Sequence, residues 1–257
     1  MKFLQSLSAQ VSLRTQGAIL ALGLLFIILD ALTEPMNPAI DLAWVTVIIC
    51  GLPLLINSVQ SILDHLEIHA NFLIVIAMVA LIAIGDYHTA AYVGLIVHGG
   101  FFLEQLITGD VHYTLDDDML PTMPTQLVAL RQGINNYSSV IVVAVMLLSM
   151  GSYALTQNFM HTITLLVILC PCSLELVLVA LMMGSLVDEN SPTAGLSKEA
   201  KQCHLVLLIV SILFHVAIIG AGVLGSINPV TAAALHGLAR LGLVYNLKVL
   251  NGSLCVA

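Results

Sequence analysis

The sequence predicts an all-α protein, a polytopic membrane helix bundle of about eight transmembrane helices. Three observations lead there. Of 257 residues, 59% are hydrophobic and only 9% charged, with a mean hydropathy of +1.04, whereas an ordinary soluble domain is about 25% charged. The charges are unevenly spread: residues 140–187 hold only Glu175, and residues 205–251 only Arg240 and Lys248. The apolar runs are also continuous, which suits bilayer-spanning helices of about 20 residues and not the period-two alternation of a β-barrel.

Pro, Gly and charge clusters bound the runs and place spans at residues 17–32, 40–63, 70–84, 89–108, 138–156, 162–187, 205–225 and 228–250. Lys2 and Arg14 precede the first run and no small-residue cleavage site follows it, so it is expected to be a retained span, not a signal peptide. The second contains Gly51-Leu52-Pro53, which should kink it and turn its second half toward the membrane surface. The third is short, and Gly85-Asp86 leaves room only for a tight turn, so the third and fourth are expected to form an antiparallel hairpin. Residues 109–137, with Asp116, Asp117, Asp118, Pro121 and Pro124, and residues 188–204, with Ser191-Pro192, Lys198 and Lys201, read as short loops. Neither is long enough for a catalytic domain, so residues 1–257 read as one transmembrane domain without an internal repeat.

Lys2, Arg14, Arg131, Lys198, Lys201 and Lys248 fall on the side shared by the termini and these loops, while the connections around Glu34, Asp86, Asn158 and Ile227 carry no Lys or Arg. The positive-inside rule then puts both termini and both loops in the cytoplasm, with the chain in the cytoplasmic membrane and lipid as its first partner. The net charge of −8 is concentrated outside the apolar runs, notably at Asp116, Asp117 and Asp118, and without a basic patch nucleic-acid binding is excluded. Cys50, Cys170, Cys172, Cys203 and Cys255 lack the spacing of a disulfide framework and read as free thiols or ligands.

The sharpest chemical feature is Cys170-Pro171-Cys172 inside the sixth run. Proline removes a backbone donor and opens the helix by about one turn, so that thiols and freed carbonyls can face one cavity. Thiolates select soft or borderline ions such as Cu(I) and Zn(II). Two readings stand at this point: a metal site, or a proline break between two small buried cysteines. His98 sits beside Gly99-Gly100, and glycines flanking an imidazole permit close approach of a flat macrocycle, so a haem or chlorin ligand is an alternative role for it. His65 and His69, with Asp64 and Glu67, read either as a surface metal platform or as a solvated interfacial face.

The run 165–187, with Cys170-Pro171-Cys172-Ser173-Leu174, resembles the metal-binding helix of heavy-metal-transporting P-type ATPases, whose hallmark is Cys-Pro-Cys-Ala-Leu. Ile84-Gly85-Asp86-Tyr87, Ala90-Ala91 and Leu103-Glu104 are similar to that family's Gly-Glu-Tyr, Ala-Ala and Leu-Glu landmarks. Gly51-Leu52-Pro53 stands where the family kinks its second helix, and Leu243-Val244-Tyr245-Asn246-Leu247-Lys248 resembles its final helix. Eight spans match the family's membrane core.

The departures define what the resemblance implies. Residues 123–133 look like the first strand of the family's actuator domain, after which the chain returns to the membrane. No Asp-Lys-Thr-Gly-Thr nucleophile and no Gly-rich phosphate loop is present, so the resemblance implies a core without ATPase activity, not an enzyme. Family ligand positions fall on Phe214-His215 and on His236. With Cys170 and Cys172 they make a Cys₂His₂ set that suits tetrahedral Zn(II) and is acceptable to copper. Glu175 and Arg240 are the only formal charges deep in the sixth and eighth runs; an unpaired charge at the bilayer centre costs several kcal/mol, so the two are expected to pair. A guanidinium there would repel a passing cation. The expected function is transition-metal binding, or passive or partner-driven transport, with a cofactor-carrying subunit of a larger membrane complex as the alternative.

Overall fold

Within the bundle, helix ends are set by short polar sequences that cap one helix and start the next. A computed structural model describes residues 13–33, 42–65, 71–108, 125–170 and 198–255. They form eight helices: α1 Leu13–Thr33, α2 Ala43–His65, α3 Asn71–Ala83, α4 Tyr87–Thr108, α5 Thr125–Thr156, α6 Phe159–Ile168, α7 Lys198–Val223 and α8 Pro229–Cys255. No strand occurs among the described residues. Three helices, over Leu13–Leu32, Ala43–Gln60 and Tyr87–Ile107, are long and apolar enough to cross a membrane. The other apolar segments are shorter: Phe72–Ala83, Val140–Thr156, Phe159–Ile168 and Ile209–Val223.

The α3–α4 connection is the tight turn that Gly85-Asp86 predicts. Gly85 takes φ +83°, a region open to a residue without a Cβ, and its N–H donates to Ile82 O while Asp86 N–H donates to Leu81 O, closing α3 in a Schellman pattern. Asp86 then serves as N-cap of α4, its Oδ1 accepting from Thr89 N–H at 3.0 Å. The α7–α8 connection repeats the device with Gly225 at φ +69° and Ser226 N–H donating to Ala221 O. Asn228 caps α8 reciprocally with Thr231, and Pro229 occupies the first helical position, where its missing N–H is no loss.

Two expectations about boundaries change. Residues 125–137, expected as loop and in part as an actuator-like strand, are the first turns of α5. A single strand without a partner is not stable, whereas extending a helix adds one hydrogen bond per residue ordered. Residues 198–204, expected as loop, begin α7. α2 continues through Pro53 to His65 as one helix; burial of Cys50, Leu54 and Ser58 on either side of the proline holds that face in place. α6 ends at Ile168, three residues before the proline, which disfavours helical geometry in its predecessor.

In the packing, α4 lies against α1, α2, α3 and α8, and α6 lies against α3, α5, α7 and α8. The buried core runs between them, from Val47, Leu54, Leu73, Met78 and Leu81 through Ala90 and Val93 to Leu166, Val167 and Ala239. Large apolar side chains on α1 and α7, such as Leu22, Ile28, Leu213 and Val216, are exposed on the outside. Exposed apolar surface of this extent is foreign to a water-soluble monomer.

Candidate metal site at the end of α6

The geometry is set by three helices that begin at one level. The starts of α4, α6 and α8 meet round a cavity of about 250 Å³ lined by residues that include Thr89, Asn158, His161, Gly225 and Pro229. Asn158 caps α6, accepting from His161 N–H at 3.2 Å. Counting about 1.5 Å per residue from this level, Cys170 lies roughly 16 Å in along α6, His236 roughly 10 Å in along α8, and His215 roughly 12 Å in on the opposite-running α7. His215 and His236 therefore share a layer, with Cys170 roughly 4–6 Å deeper, on helices that pack on one another.

Within that layer the ring centroids of His215 and His236 are 6.0 Å apart and nearly perpendicular, at 87°. His215 Nδ1 lies 2.9 Å from Ser211 O; with Nδ1 donating to that carbonyl, Nε2 is the lone-pair nitrogen. An imidazole nitrogen binds Zn(II) at about 2.0–2.1 Å, so two rings on one ion have centroids about 5 Å apart at the tetrahedral angle and about 6 Å at wider angles. The observed 6.0 Å corresponds to an N–metal–N angle of about 140°, wider than tetrahedral. His236 is 7% exposed and Cys170 3%, and Cys170 is not in a disulfide. Cys172 and Glu175 lie outside the described residues, as do His69, Glu67 and Asp116 to Asp118. Among the described residues, no group of three or more His, Cys, Asp and Glu side chains is placed to hold an ion.

Arg240, expected beside Glu175, has Glu104 of α4 as an ion-pair partner at 2.9 Å, and its guanidinium lies over the Phe101 ring at 4.7 Å. Glu104 is one residue of the Leu103-Glu104 landmark, but its role as counter-ion to α8 was not legible. Parallel α4 and α8 bring them together, with Arg240 reaching further along the bundle than its own Cα.

Sequence reasoning also passed over Asp30, 5% exposed at the end of α1. Its Oδ1 accepts from Leu42 N–H at 2.7 Å, and its Oδ2 lies 3.1 Å from His88 Nδ1. One carboxylate thus ties the ends of α1, α2 and α4. The available signal was a lone acidic residue at the end of an otherwise uncharged run.

His98 is 5% exposed, and neither of its ring nitrogens has a hydrogen-bond partner among the described residues. Its surroundings do not fit a flat macrocycle. A Cβ at Gly100 would meet nothing within 4 Å, but two residues along a helix is a rotation of about 200°, so that open space faces away from the imidazole. On the His98 side, one turn earlier, the Gly94 position is filled by Met78 and Cys50. No protein-family model, curated protein or solved structure matches the chain.

Proposed function

We propose that the chain is an integral membrane metal-binding protein, a bundle of about eight spans related to the membrane core of heavy-metal P-type ATPases but hydrolysing no ATP. It holds one Zn(II) or copper ion through Cys170, Cys172, His215 and His236. The observation that carries this reading is the 6.0 Å, nearly perpendicular His215–His236 pair at the depth where α6 ends before Cys170. Two imidazoles at that separation share an ion with two thiolates from an opened helix end, and the bound metal would supply charge and ligand geometry, not redox chemistry.

The ion-paired Arg240 supports binding over pumping. Its guanidinium is held one turn from His236 by Glu104 and Phe101; the pair is close to neutral, and a side chain so fixed narrows the path an ion would take past His236. In the cell the protein lies in the cytoplasmic membrane with both termini in the cytoplasm, and it buffers metal, or passes it passively or to subunits of a larger membrane complex.

The test is metal content by mass spectrometry after purification with native lipid. A four-ligand set holds about one zinc or copper per chain, and that metal is lost in Cys170→Ser/Cys172→Ser. Equal metal in the wild type and the double variant would overturn the assignment.

A further inference from the structure

The Gly94 notch between α2, α3 and α4 collects soft donors that the proposed Cys₂His₂ set does not use. A Cβ at Gly94 would stand 2.8 Å from Met78 Cε, 3.5 Å from Met78 Sδ and 3.5 Å from Cys50 Cβ. A Cβ at Gly51 would likewise meet Met78 Cε at 3.0 Å. The two glycines therefore seat the thioether of α3 between α2 and α4. Cys50 and Met78 are fully or nearly fully buried, and Cys50 is in no disulfide.

His98 completes the group. It lies four residues after Gly94, so the two positions stack on one face of α4. A helical side chain covers the turn before its own Cα, which lays the imidazole over the notch that holds Met78 and Cys50. Both ring nitrogens of His98 lack a hydrogen-bond partner among the described residues. Buried polar atoms are otherwise nearly always satisfied, and an unsatisfied one carries a desolvation cost. A metal on one ring nitrogen would satisfy that nitrogen and lower the cost.

We propose that His98, Cys50 and Met78 form a second metal site, specific for Cu(I). A thiol, a thioether and an imidazole are the donors that favour Cu(I). Charge points the same way. Cys50 gives up its thiol proton on binding, so Cu(I) replaces H⁺ and the site stays neutral in apolar surroundings. Zn(II) would leave an uncompensated charge there, at a cost of several kcal/mol. In the present rotamer Cys50 Sγ is directed at α1, 3.0 Å from where a Gly23 Cβ would stand. Ligation turns the side chain about χ1 toward Gly94 and shifts the Met78 methyl that now fills the notch.

The experiment uses the full chain in detergent, in the Cys170→Ser/Cys172→Ser background, titrated anaerobically with Cu(I) against a chromophoric chelator. About one Cu(I) per chain is expected to remain and to disappear on adding His98→Leu. Met78→Leu nearly conserves volume and is tolerated in packed cores; it should weaken Cu(I) binding at least about tenfold, the lower bound even for groups outside the ligand shell. Gel filtration and far-UV circular dichroism check folding, and where His98→Leu does not fold, the Met78→Leu affinity decides. No Cu(I) bound in the background, binding unchanged in either variant, or equal competition by Zn(II) would each overturn the proposal. Failure of the Cys170 site alone appears differently, as equal copper in the wild type and the background.

Discussion

The two hairpins α3–α4 and α7–α8 end their first helix with the same backbone device and then put it to opposite uses. Both place glycine at positive φ, and both send the next N–H back to a carbonyl five residues earlier. Yet α3, only 13 residues long, buries Leu73, Ile74, Ala77, Met78 and Leu81, whereas α7, with 26, exposes Leu213, Val216 and Val223. At about 1.5 Å per residue α3 spans roughly 20 Å, short of a hydrocarbon core of about 30 Å. Its apolar side chains serve packing against protein, and those of α7 face outward. Similar composition hides different physics: in a membrane the lipid is as apolar as leucine, so what a buried leucine contributes is contact density.

Substitutions can break that comparison. The largest effect is expected at Leu81, which is fully buried: Leu81→Ala leaves a cavity and should cost about 2 kcal/mol, the low end for such changes because the membrane-embedded reference state is apolar too. Unfolding titrations in mixed micelles would measure it. Gly85→Ala comes next, at about 1 kcal/mol; nothing crowds the new methyl, so the loss is purely that of forcing an L-residue to φ +83°. The smallest is Leu213→Ala, at 63% exposure, expected within about 0.5 kcal/mol. A loss at Leu213 equal to that at Leu81 would mean that α7 is covered by protein, as in a larger complex, and would end the contrast.

The sequence made the local devices legible because they are written in neighbouring residues. Gly85-Asp86 and Cys170-Pro171 each state a turn or a break within a few positions, and both are where expected. Features that depend on register between distant helices were not legible. Glu104 meets Arg240 only because α4 and α8 run parallel from a common level, and nothing local to either residue encodes that. The helical start of α5 at Thr125 has another reason: a strand there has no partner strand among the described residues, so the segment extends the helix. His215 and His236 were picked out through their correspondence to a family's ligand positions, and their proximity is a relation between α7 and α8 that spacing alone does not contain.

The early stop of α6 has an electrostatic consequence. Peptide dipoles add along a helix, leaving about half a negative elementary charge at its C-terminal end, an effect that fades within a turn. In most helices that end is bathed in water and largely screened. α6 ends at Ile168 with Val167, Ile168 and Cys170 all buried, so the partial charge is delivered to a medium of low polarisability. A positive ion arriving at Cys170 would find the field of the backbone already oriented toward it, before any thiol had lost its proton.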